Sequence, residues 1–114
     1  MARSLFFLLA LLAALALVGC GRGAGEPVQL QLADLARFAE DYDGRRVQTT
    51  GTVRSHPDPE HYWIEDDALN RVSVEPQSSI ASHVGERVRV SGQFRFSRDE
   101  GRAIEATTVE PVAH

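Results

Sequence analysis

Lysine is absent from this chain, and cysteine occurs once, at Cys20. A lone cysteine excludes an internal disulfide framework, so the fold must hold by its core alone. The usual frames of nucleophilic catalysis are also missing. There is no G-x-S-x-G, and Ser73, Ser78, Ser79 and Ser91 stand in no triad context. No glycine-rich phosphate loop is present. The run Glu65-Asp66-Asp67 lacks the spacing of a calcium loop and reads as a charged turn. His56 and His61 bracket the stretch HPDPEH, with Asp58 and Glu60 between them, but this spacing matches no metal motif. His83 and His114 have no visible partner. The chain is therefore read as non-catalytic, without a cofactor or a metal. A basic field is missing as well. Apart from Arg3, 11 arginines stand against 16 acidic residues, a net charge of −5. Nucleic-acid binders usually carry the opposite balance, so nucleic acid is not an expected partner.

What is present begins with an apolar run. Met1 to Ser4 carries one basic side chain, Arg3, and Leu5 to Val18 is unbroken apolar sequence. The run is shorter than the ~20 apolar residues of a bilayer-spanning helix, and it shows no polar face. A basic start, a short apolar stretch and a small-residue end predict a secretory signal peptide over residues 1–19. Its last residues, Leu17-Val18-Gly19-Cys20, resemble the bacterial lipobox. The resemblance implies cleavage before Cys20, a diacylglycerol on its sulfur and an acylated amino terminus, with two or three chains giving a stable hold on the membrane. Residues 20–28, which include GRGAGEP, then read as a flexible tether, and residues 29–111 as one domain.

Within that domain Leu30 to Tyr42 carries Leu32, Leu35, Phe38 and Tyr42 at helical spacing. Asp43-Gly44 stands where a helix should stop. Strands are predicted at Arg45–Arg54, His61–Glu65, Arg71–Glu75, Glu86–Phe96 and Arg102–Val109. A short helical piece carrying Ile80 separates the third from the fourth. Alternation points Val47, Val53, Val88, Val90, Phe94 and Phe96 inward.

Gly44-Arg45-Arg46-Val47 leading to Gly51, and Gly85-Glu86-Arg87-Val88 leading to Gly92, share the pattern G-x-R-V-x-x-x-G. The first glycine opens a strand from a turn. The second lies inside a strand, where it allows a sharp bend, often through a bulge. Helix, three strands, short helix and two strands is the order of a five-stranded OB-fold Greek-key barrel. A small SH3-like barrel has similar strands but gives less reason for the helical piece. The residues Tyr42 to Val47, Gly51-Thr52-Val53, Tyr62 to Asp66, Val84 to Val88 and Gly92 resemble the small OB-fold proteins of the bacterial cell envelope. These include lipoproteins with a tRNA-anticodon-like OB domain. The resemblance covers about residues 30–110 and implies fold more than function.

OB domains commonly bind across their second and third strands. Placing Ile64 in the core turns Trp63 and His61 outward, beside Arg71 and Ser73 of the next strand. These four form the candidate binding surface. The expected function is a lipid-anchored module of the bacterial cell envelope, periplasmic or on the outer face, that binds a protein or glycan. The alternatives are an exported nucleic-acid or nucleotide binder and a metal or haem carrier. The haem chaperone of cytochrome c maturation, also an exported OB protein, needs a histidine with a tyrosine four residues on. Here Glu60, Glu65 and Arg87 stand at that distance from His56, His61 and His83.

Overall fold

The computed structural model describes residues 26–113. The signal peptide, Cys20 and the tether up to Gly25 lie outside the described residues. In chain order the elements are β1 (Val28–Gln29), α1 (Leu32–Arg37), α2 (Ala39–Tyr42), β2 (Arg46–His56), β3 (His61–Glu65), β4 (Arg71–Glu75), α3 (Ser78–Ala81), β5 (Arg87–Ser97) and β6 (Gly101–Pro111). The molecule is mainly β, with a six-stranded sheet in the order β1-β2-β3-β4-β6-β5. β5 also pairs back onto β2, so the pairings from β2 to β5 form a closed circuit.

Five strands were expected and six are present among the described residues. The extra one, β1, runs parallel to β2 with Val28 opposite Val47 and Gln29 opposite Gln48. Two residues have no alternation to read, so this strand leaves no periodic signal in the sequence. The five longer strands fall where alternation placed them. Val47, Val53, Ile64, Val88, Val90 and Phe94 are fully buried together, joined by Val72, Val74 and Ile104 from the other strands, Leu32 and Leu35 from α1 and Ile80 from α3. Phe96 is only partly buried against this cluster.

The circuit closes because the long strands change partners along their length. β2 pairs with β5 over Arg46–Thr52 and with β3 over Thr52–His56. Gly51 sits at that change. A Cβ there would lie 2.7 Å from Leu32 Cδ1, so the missing side chain makes room for α1 to seat its leucine on the sheet. Gly92 serves differently. Ser91 faces Thr108 but Gly92 faces Ala106, leaving Thr107 as the extra residue of a bulge, with its hydroxyl donating to the Ser91 carbonyl at 3.0 Å. A Cβ at Gly92 would lie 2.0 Å from the Glu105 carbonyl oxygen. The turn glycines behave as the repeat implied. Gly44 and Gly85 take φ +83° and +87° at the entries to β2 and β5.

One helix was expected over Leu30 to Tyr42, and two short ones form. They break at Phe38, whose φ of −119° and ψ of 38° leave the helical region. The Phe38 amide closes α1 by donating to the Asp34 carbonyl, and its own carbonyl accepts from Asp41 and Tyr42 to start α2. The break rotates Phe38 off the apolar stripe. It is 42% exposed with the Arg37 guanidinium over its ring, and Ala39 takes the buried position. Asp34, which falls off the stripe, accepts the Gln31 amide at the start of α1. Among the described residues no helix is long and apolar enough to cross a membrane.

Candidate functional site

Pairing across β2, β3 and β4 sets Trp63 between Arg54 and Ser73, and Glu65 between Thr52 and Arg71. Alternation puts Trp63 and Glu65 on the same outer face of β3, two residues apart. The indole Nε1 donates to Glu65 Oε1 at 2.8 Å. Arg71 Nε stands 3.2 Å from the same oxygen, and Arg54 Nε stands 3.6 Å from Oε2. These neighbours leave the Glu65 side chain only 11% exposed. The carboxylate is the hub of the face, and a bonded, doubly paired carboxylate can be covered without stranding its charge. Arg71 also lies over the indole, 5.1 Å from its centre, and the His61 ring lies 5.1 Å from it at 32°. Trp63 points away from the core as expected, but it is half-buried and held in place by its neighbours.

At the far end of the β2–β3 hairpin His56 faces His61, their rings 5.8 Å apart. Each Nδ1 lies close to a backbone carbonyl, Pro57 at 2.7 Å and Pro59 at 2.8 Å. A carbonyl only accepts, so each Nδ1 carries the hydrogen. Tyr62 donates its hydroxyl to Glu60, which together with burial and the nearby negative charge raises the phenol above its ordinary pKa. Among the described residues no group of three histidine, cysteine or acidic side chains is placed to hold a metal ion.

His61, Trp63, Arg71 and Ser73 all line one groove of about 330 Å³, completed by Phe96 and Arg102 at the β5–β6 turn. A second groove of about 470 Å³ adjoins it and is lined by Asp43, Glu75 and Glu105 among others. Ser73, Phe96, Glu100 and Gly101 belong to both, so the two form one trough. Asp43 holds the trough's rim by accepting the Phe96 amide at 2.9 Å, and Ser97 Oγ accepts the Glu100 amide at 3.0 Å in the turn. The structure thus brings the four candidate residues together. It adds Glu65, expected at the edge of a charged turn, and Arg102, for which no role was expected. The signal for Glu65 was its i+2 spacing from Trp63. Arg102 gave none, because its place depends on how β6 returns beside β4.

Comparisons with known proteins bear on the fold alone. No family model and no curated protein matches the chain. Among solved structures it is similar to a chain of the S. pombe Stn1–Ten1 complex, at 13% identity and a TM-score of 0.56, over 79% of this chain and 80% of that one. It also matches a DUF3299 family protein from Pseudomonas aeruginosa at 13% identity and a TM-score of 0.48, over 79% of this chain and 99% of that one. Stn1–Ten1 is an OB-fold complex, and the fold of this chain is OB-like.

Proposed function

We propose that this chain is a lipid-anchored, non-catalytic binding module of the bacterial cell envelope. In this reading a five-stranded OB-type Greek-key barrel, with β1 as an added short strand, holds a protein or glycan partner in the trough over β3 and β4. The observation that carries the reading is the position of that trough. It lies on the pair of strands, beside the last turn, that OB domains commonly use for ligands. Its walls offer arginine and a partly covered tryptophan, residue types enriched in binding hot spots, beside several carboxylates. The lipobox-like end of the apolar segment supports the anchor.

Two measurements test the proposal. Mass spectrometry of the chain from intact cells should find acyl chains on Cys20, and Cys20→Ala should leave an unlabelled precursor. A free thiol on the wild-type chain refutes the anchor. A photo-crosslinking residue at Ser73 should capture a partner in intact cells, whereas one at Arg46, which is exposed on β2, should not. Equal capture from both positions removes the trough as the working surface.

A further inference from the structure

The trough is electrically divided, and the division lies along one strand. The outer face of β4 reads Arg71, Ser73, Glu75, with Val72 and Val74 turned into the core. Four residues of strand separate the arginine from the glutamate by about 13 Å. At the Arg71 end the groove adds Arg102. At the Glu75 end it adds Asp43 together with the mutually paired Arg95 and Glu105, and Glu100 stands where the two meet. Among the described residues neither Arg102, Glu75 nor Glu100 has an ion-pair partner, while Arg95 is neutralised by Glu105 and Arg71 shares Glu65 with Arg54. The floor between the two ends holds Phe96, Ser73 and Gly101.

This arrangement separates the possible ligand classes. A nucleic-acid strand carries negative charge along its whole length and would run into the carboxylates of the Glu75 half. A neutral glycan needs an open aromatic face, and the Trp63 ring already has Arg71 over it, His61 beside it and its Nε1–H committed to Glu65. An extended polypeptide can present both signs and rises about 3.3 Å per residue, so two charges four positions apart span the same 13 Å.

We infer that the trough binds an extended peptide segment of a partner protein that carries an acidic residue over Arg71 and Arg102 and a basic residue, about four positions away, over Glu75. The inference rests on the trough being the binding surface. Complementary charge of this kind fixes the direction of the segment and rejects the reversed one, because it would bring like charges together.

The test uses the full-length chain in detergent and a displayed library of random heptapeptides. Selected peptides should share one order of acidic and basic residues. The double variant Arg102→Glu with Glu75→Arg should bind them at least tenfold more weakly and should no longer select that order, while melting as cooperatively as wild type. Binding is followed through the single tryptophan, Trp63, which lines the trough. A dT12 oligonucleotide and a neutral chitin hexamer are run alongside. If either of these changes Trp63 emission saturably and no peptide does, the trough is a binding surface but the peptide assignment is wrong. Peptides without a common charge order, or the same order selected by wild type and double variant, also overturn it. If no probe changes the emission, both the assignment and the trough as a binding surface fall.

Discussion

At the scale of single residues, the two kinds of glycine in this fold fail for different reasons when given a side chain. At Gly92 a methyl group would meet the β6 backbone at Glu105 and Ala106, which a side-chain rotation cannot relieve. Gly92→Ala should lower stability by about 3 kcal/mol, the upper part of the overpacking range, as measured by urea unfolding. At Gly44 nothing lies within 4 Å of the added atom, but φ is +83°. Gly44→Ala should cost only about 1–2 kcal/mol, from the left-handed backbone alone. Asp66 carries a second prediction. Burial is the strongest influence on its carboxyl and acts to raise the pKa. The bonds from the Asn70 side chain and amide and from the Ala68 amide together outweigh it, so the pKa falls below the ordinary aspartate value. The folded state thus binds this proton less readily than the unfolded chain does. The resulting stability is full above the unfolded value of about 4 and is lost as the pH drops through the lower folded value. Asp66→Ala should be less stable than wild type at neutral pH, with the gap narrowing on acidification. A gap that stays constant down to pH 2 would show that the carboxylate's charge is not what the turn uses.

Elements differ in how much of themselves they write into sequence. β2 and β5 were legible because eleven residues of alternation leave little choice of face. β1 was not, having two residues whose partner is set by how the chain folds back. The helix was legible as a helix but not as two. The apolar spacing of Leu32, Leu35 and Phe38 is continuous and carries no mark of the break that the backbone takes at Phe38. Leu35→Ala should therefore cost about 2–5 kcal/mol, while Phe38→Ala, at a half-exposed pivot, should cost well under 1 kcal/mol. Equal thermal shifts for both would restore the single-helix stripe. In the candidate site, alternation alone turned Trp63 outward. It could not show that Arg71 would lie over the ring, because that contact depends on the β3–β4 register. Trp63→Ala should consequently reduce stability as well as binding, since it strips a hydrogen bond and a cover from Glu65.

For the molecule as a whole, the closed circuit makes the last strand indispensable. β6 is both the parallel partner of β4 and the antiparallel partner of β5. Deleting residues 101–113 should abolish cooperative melting, whereas removing only residues 112–113, which lose the single Val112 to Arg87 backbone bond, should leave it nearly intact. Arg46 must also find Gln93, and Thr52 must find Arg87, across intervening chain that has to be ordered first. Folds dominated by such distant pairings acquire structure in milliseconds to seconds, not microseconds. The circuit cannot close until β6 has joined both β4 and β5, so the seam is the last part of the sheet to be sealed.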